Sequence, residues 1–313
     1  MKPPDAPIEG RVMPGGVSSD VMIVDGPDGP FVVKRALPKL KVDADWRSDP
    51  RRSSIELACL REMADLLGQV TVPRVLWVNE AEHSFAMECI DARFVNWKER
   101  LLDGDIDSAT ARRAGTLLGQ FHARSAARNH LAARFDDRQF LMELRVTPYH
   151  RRIAERHGDI APDIESVVAR MLETRISLVH GDYSPKNMLA EGADVVVLDC
   201  EVAHWGDPRF DLGFCLSHLA LKIIKDGGHA DEMTAGARAY LAGYAEEGMD
   251  IMDAEACRQT GCLMLARIDG DSPVEYLPEE PRRIHARSVA RSLIIDPPSD
   301  MTQVISRTHE LLP

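Results

Sequence analysis

The segment HGDYSPKNML, residues 180–189, sets His180, Asp182 and Asn187 on one short stretch. It is too polar and turn-prone for the interior of a helix or strand, yet RISLV leads into it and VVVLDCE follows, and both read as strands. Asp199 and Glu201 close the second of these strands. An amide oxygen and carboxylates are hard donors of the kind magnesium takes, especially where phosphates complete its coordination. A further carboxylate beside them can orient a hydroxyl and accept its proton. Taken singly, each of these residues is an ordinary turn former. Together they follow the phosphoryl-transfer pattern, in which a loop Asp faces the acceptor and an Asn with a later Asp hold the metal.

Such chemistry requires the groups to meet. The turn signal EGAD is centred near residue 193. Antiparallel strands folded about that centre pair Met188 with Leu198, Ala190 with Val196 and Asn187 with Asp199. Opposed residues share a face, with Cα atoms roughly 4.5–5.5 Å apart. The reading therefore expects Asn187 and Asp199 at the open end of a hairpin, with Asp182 just upstream.

Phosphates also call for a cation. Lys34 lies in FVVKRA, residues 31–36, where strand alternation puts it on one face with Val32 and Ala36. A Lys on so apolar a face is costly without an anionic partner. Glu56 and Glu62, on the helical stretch RSSIELACLREMADLLG, are the candidates. His122 falls on the apolar face of a helix and reads as core. Arg283, Arg287 and Arg291 form a stripe at helical spacing that reads as a solvated face.

The elements that must position these groups change character along the chain. VMIV and FVVKRA form a hairpin about DGPDG; RVLWVN and SFAMECI are two further strands. Beyond residue 90 helices dominate, with Asp107 and Ser108 as candidate N-caps of a helix through GTLLGQFHARSAA and further helices near 209–225, 231–247, 253–267 and 282–294. Strands first and helices later indicate an α+β protein in two lobes, residues 1–90 and residues 91–313.

The 313 residues, 44% of them hydrophobic, suffice for a sizeable core. A formal charge of −12 repels phosphate backbones, so nucleic acid is not an expected partner. The acidic balance mildly favours a cationic small-molecule substrate. The six cysteines have neither CxxC nor zinc-ligand spacing and read as reduced, buried thiols of a cytoplasmic protein. No secretory h-region is found near the start, and the apolar run LGFCLSHLALKII is too short for a membrane span. A homodimer is left open.

LVHGDYSPKNML and VVVLDCEVAHWGDPRFDLGF resemble the aminoglycoside phosphotransferase and choline kinase superfamily, which has a bilobal protein-kinase-like fold. The Asp-x-Glu of residues 199–201 and the stretch KRALPKLKVDADW look like the methylthioribose kinase branch. HGD and DCE stand where protein kinases carry H-R-D and D-F-G.

The resemblance implies an ATP-dependent kinase that uses Mg²⁺ and phosphorylates a hydroxyl of a sugar, aminoglycoside or amino alcohol, with residues 1–90 as its N-terminal nucleotide-binding lobe and residues 91–313 as its helical catalytic and substrate lobe. A non-catalytic nucleotide-binding pseudokinase is the alternative, and a protein kinase a more distant one. By the same resemblance, Lys34 holds nucleotide phosphates and Glu56, four residues after Arg52, is its partner. Gly15, Gly16, Ser18 and Ser19 lie in the loop over the phosphates. The Glu88 carbonyl and Ile90 N–H meet the adenine edge. Asn187, Asp199 and Glu201 are metal ligands and Asp182 is catalytic. His180 braces the loop, Asp211 holds it by hydrogen bonds, and Arg267 resembles an arginine near the sugar site.

Overall fold

A computed structural model of the chain describes residues 10–13, 17–41, 46–225 and 227–310. Gly15 and Gly16 of the expected phosphate loop lie outside these residues. The N-terminal lobe is an antiparallel sheet of β1 (Arg11–Val12), β2 (Ser19–Gly26), β3 (Gly29–Ala36), β4 (Val75–Asn79) and β5 (Ser84–Glu88), in the order β1-β2-β3-β5-β4. Lys34 is therefore on the central strand, opposite Val21 on β2 and Phe85 on β5. Its neighbour Val33 points to the opposite face and packs in a small cluster with Val24, Trp77 and Ala86. That alternation turns Lys34 towards the helix Arg52–Leu67, as period-two geometry requires.

The Arg52–Leu67 helix buries Arg52, Glu56, Leu60 and Met63, a stripe at three- and four-residue spacing that includes two charged groups. Glu62, the other candidate partner of Lys34, is also buried but pairs with Arg134.

The rest of the chain is mostly helical. Asp107 caps the helix Ser108–Ala126, its carboxylate accepting from the Ala109 and Thr110 N–H groups at 2.9 and 3.3 Å. The helix Arg209–Lys225 is buried almost all round, so its apolar run is core. No helix among the described residues is long and apolar enough to cross a membrane. Arg283, Arg287 and Arg291 are not simply solvated. Arg287 donates to Asp269 at 2.7 and 2.9 Å, Arg291 pairs with Asp159, and Arg283 donates to the Ile268 carbonyl at 2.6 Å. All six cysteines are free thiols, five of them buried.

Two small ladders carry the loop motifs. In one, β7 (Ser177–Val179) pairs with β10 (His204–Gly206); in the other, β6 (Val95–Asn96) pairs with β8 (Met188–Glu191), and β8 with β9 (Asp194–Val197). The β8–β9 hairpin forms, but one residue out of the expected register: Met188 pairs with Val197 and Glu191 with Asp194. The reason is the turn. It has two central residues, Gly192 and Ala193, and Gly192 takes a φ of +54°, the positive value at the first central position that a type II′ turn uses. Asn187 consequently lies beside Leu198, whose N–H donates to the Asn187 carbonyl at 2.9 Å.

Candidate active site

A one-residue slip moves side chains to the other face of a ladder. Here the backbone offsets it at Asp199, which leaves the extended conformation with a φ of +65° and so re-aims its carboxylate. Asp is among the few residues that tolerate this region, at a modest cost. The Asp199 carboxylate reaches Lys34 Nζ, which also donates to Glu56 Oε1 at 2.7 Å. Burial alone would lower the Lys34 pKa, but Asp199 and Glu56 outweigh it and hold the ammonium well above the usual range. Asp199 is held low by Lys34 and Lys186 against the upward push of burial. Burial, together with the Asp199 and Glu201 charges, raises Glu56 despite its bond to Lys34.

One oxygen each from Glu56, Asp199 and Glu201 lies within 4.8 Å of the others. Glu201 is not free: Arg52, fully buried, donates from Nε to its Oε2 at 3.0 Å and also bonds the Leu37 carbonyl at 2.8 Å. Arg52 thus ties the first helix both to the sheet lobe and to the segment after β9. The hard oxygen donors of this cluster suit a small divalent ion.

Asp182 sits on the loop between β7 and β8. Gly181 before it has a φ of +79°, and a Cβ there would lie 2.6 Å from the Val202 carbonyl oxygen, so the HGD glycine is required by both conformation and space. Asp211 on the following helix accepts from the His180 and Gly181 N–H groups at 2.6 and 2.8 Å, as expected of a loop-holding residue. Burial would push the Asp211 carboxyl up, but the His122 ring and the His180 N–H hold it below its usual value. The His180 ring is fixed in one neutral tautomer: Nδ1 accepts from the Asp182 N–H at 3.1 Å, so Nε2 carries the proton donated to the Leu198 carbonyl at 3.1 Å. His122 is buried, as expected, and its Nε2 lies 3.2 Å from Asp211. It braces the brace.

The Asp182 carboxylate has three polar neighbours. Asn187 Nδ2 donates to its Oδ2 at 2.7 Å, Lys186 Nζ lies 3.0 Å from the same oxygen, and Arg145 Nη2 lies 2.9 Å from Oδ1. Because Asn187 spends its amide nitrogen on Asp182, its amide oxygen is the atom left for a metal. Arg267, the remaining predicted side chain, is buried beside Tyr149, with Nη1 3.2 Å from the Tyr149 hydroxyl. Ser18 and Ser19 stand at the start of β2, and the backbone leaves regular structure after Glu88, through Cys89 and Ile90.

The sequence pattern of the phosphotransferase enzyme family (APH) matches residues 9–253, well over half of the chain. The chain belongs to this family. Among solved structures, this family member is similar to the amicoumacin kinase hAmiN, in complex with AMP-PNP, Ca²⁺ and Ami, at 13% identity and a TM-score of 0.55, over 96% of this chain and 90% of the other. It is also similar to the choline kinase LicA from Streptococcus pneumoniae, at 12% identity and a TM-score of 0.50, over 91% and 93%. A choline/ethanolamine kinase family protein from Mesorhizobium loti matches at 19% identity and a TM-score of 0.49, over 98% and 93%. No curated protein sequence matches the chain. The protein-kinase-like fold of the phosphotransferase family is thereby established, with its small antiparallel sheet lobe and larger helical part.

Three residues of this candidate site were not singled out by sequence reasoning: Arg52 as the partner of Glu201, and Arg145 and Lys186 as partners of Asp182. Arg145 carried a signal, since it interrupts the apolar stretch FLMELRV in the way that Lys34 interrupts FVVKRA. Its helical segment, Met142–Arg151, has the wide turns of a π-helix and contains Pro148, which cannot complete the ordinary backbone ladder.

Proposed function

We propose that this protein is an ATP-dependent small-molecule kinase that transfers the γ-phosphoryl group to an acceptor hydroxyl. The observation that carries the reading is the buried Lys34 clasped by Glu56 and Asp199, with the Asp182 carboxylate on the adjoining loop. A lone buried Lys would be an expense; one pre-set between two carboxylates is ready to exchange part of that pairing for phosphate oxygens. The similar amicoumacin kinase was solved in complex with AMP-PNP, which supports nucleotide use.

In this reading Lys34 binds the nucleotide phosphates and Glu56 keeps its ammonium in place. Ser18 and Ser19 meet the phosphates, and the backbone at Glu88 and Ile90 meets the base. Asn187 through its amide oxygen and Asp199 hold Mg²⁺, with Glu201 kept alongside by Arg52. Magnesium, when bound, neutralises charge on the β- and γ-phosphates. Asp182 orients the acceptor hydroxyl, whose oxygen bonds to the γ-phosphorus as the bond to the β–γ bridging oxygen breaks. The hydroxyl proton passes to the Asp182 carboxylate and then to solvent, and ADP leaves. Arg145, Lys186 and Asn187 fix the Asp182 rotamer for that attack.

A sugar-like acceptor, as in the methylthioribose kinase branch, fits the Asp-x-Glu motif and the segment around Trp46. That segment reaches across to the helix carrying Arg145, with Trp46 Nε1 donating to the Glu143 carbonyl at 3.1 Å and Ser48 to the Glu143 carboxylate at 2.8 Å. The reading is tested by following ADP release with Mg²⁺, ATP and a panel of hydroxylated acceptors. Acceptor-dependent release that disappears in Lys34→Met supports it; release unaffected by that substitution refutes it.

A further inference from the structure

Beyond Asp182, the wall of the helical lobe is cationic. Arg145 lies over the rings of Tyr149 and Phe214, at 5.6 and 5.7 Å from their centroids, and Arg267 lies 5.9 Å from the Tyr149 centroid on its far side. Phe214 packs edge-on against His218 at 5.2 Å. One turn further along the same helix, Lys222 Nζ sits 4.6 Å from the Tyr276 centroid. Lys98, on a neighbouring helix, lies 6.0 Å from the same ring.

This arrangement leaves polar atoms unspent. His218 Nε2, Tyr276 Oη and Arg267 Nε are buried without a hydrogen-bond partner, and all three residues are at least nine-tenths buried. Lys222 is 1% exposed, and among the described residues no carboxylate pairs with it; its ammonium has only the His218 carbonyl, at 3.4 Å, and the Tyr276 ring. Among the described residues, the carboxylates that touch this wall are Asp182 and Glu275, and each is already matched, by Arg145 and by Lys98. Burial, with Lys98 adding to it, pulls Lys222 down to about 7, and burial with Arg267 and Lys222 drives His218 well below its usual value. Unsatisfied buried donors and an unpaired buried ammonium are costly unless a ligand completes them.

We propose that the acceptor is a small alcohol carrying an anionic group, a carboxylate or a phosphate as in sugar acids and sugar phosphates, bound by Arg267, His218, Lys222 and Tyr276 while its hydroxyl faces Asp182. The proposal rests on the kinase reading above and sets the substrate class within it. It reverses the expectation drawn from net charge. The chain is acidic as a whole, but the groups facing the acceptor are not, and over a few ångströms the local field decides. A choline-like or polyamine acceptor would meet Arg267 and Lys222 with no carboxylate free to receive it.

The test uses the full chain with Mg²⁺ and ATP, reading ADP release against sugar acids, sugar phosphates, neutral sugars, and the cations choline and kanamycin. Turnover is expected in an anionic arm, with kcat/KM at least about 10-fold above the neutral parent sugar; which arm responds identifies carboxylate or phosphate. Lys222→Met and Tyr276→Phe are each expected to raise KM for that acceptor about 10- to 100-fold with a smaller change in kcat. Lys222→Met should also raise the melting temperature of the free protein, which loss of a packing role would lower. Preference for neutral or cationic acceptors, or an unchanged KM in both variants, overturns the proposal and leaves the kinase reading standing. No turnover in any arm and no thermal shift with Mg²⁺ and AMP-PNP overturns both.

Discussion

Arg145 holds Asp182 from the side opposite to Lys186. Its Nη2 is 2.9 Å from Asp182 Oδ1 while its Nε donates to the Gly181 carbonyl at 2.7 Å, so one guanidinium grips both the carboxylate and the backbone beside it. Burial would lower the Arg145 pKa, but Asp182 overcomes it, and both side chains are less than a tenth exposed. Arg145→Met should therefore lower kcat about 10- to 100-fold through a misplaced Asp182. It should also destabilise the fold by about 3–5 kcal/mol, the usual cost of orphaning one member of a buried pair. Arg145→Lys should fall between, because an ammonium cannot make both contacts. Steady-state kinetics and urea unfolding of the two variants check this.

Arg52 and Glu201 form a second buried pair, joining the first helix to the segment after β9. Arg52→Ala alone should cost on the order of 3–5 kcal/mol, while Arg52→Met combined with Glu201→Leu should recover most of that stability. A double-mutant cycle in urea measures the coupling. If the double variant is as unstable as the single one, the pair does not account for the cost.

Asp199 is the metal candidate whose side chain is most open, about a quarter exposed against the nearly closed Glu56 and Glu201. Asp199→Asn should raise the Mg²⁺ concentration needed for half-maximal AMP-PNP thermal shift by about 10-fold or more. EDTA should abolish the shift in the unaltered protein. Glu201→Gln should have the smaller effect, since Arg52 already occupies one of its oxygens.

Burial lowers the pKa of four buried imidazoles. His150 and His204 are held at about 4, and His180 and His218 also lie below the usual 6.5. Each is neutral in the fold and must gain a proton it binds more readily when unfolded. Stability is thus fully present above pH 6.5 and is lost as pH falls towards 4, at about 1.4 kcal/mol per pH unit for each proton taken up. Glu56, raised to about 8 by burial, works in the opposite direction but is one group against four. Urea midpoints should fall steadily from pH 6.5 to 4.5, and His204→Gln should flatten the slope.

Much of this was legible before any coordinates. Lys34, Glu56, Asp182, Asn187, Asp199 and Asp211 lie in motifs whose strand, helix or loop setting follows from hydrophobic periodicity and turn residues, and alternation turned Lys34 to the correct face. The hairpin register was not legible, because EGAD supports a two- or a three-residue turn and only the positive φ of Gly192 settles which. The partners of Asp182 were hidden for a different reason. Arg145 reaches it from a π-helical segment set by Pro148, and no local spacing encodes that contact. The charge of the acceptor wall was hidden as well: Arg145, Lys222 and Arg267 come from separate helices, so net charge averaged them away.

Asp182→Asn gives the most direct test of the account. The substitution keeps the size and polarity of the side chain and removes the carboxylate that receives the hydroxyl proton. With Mg²⁺, ATP and a saturating acceptor, kcat is predicted to fall at least about 100-fold, while the thermal shift with Mg²⁺ and AMP-PNP stays intact. Turnover within a few-fold of the unaltered protein would contradict the assignment of Asp182 and, with it, the proposed phosphoryl transfer at this site.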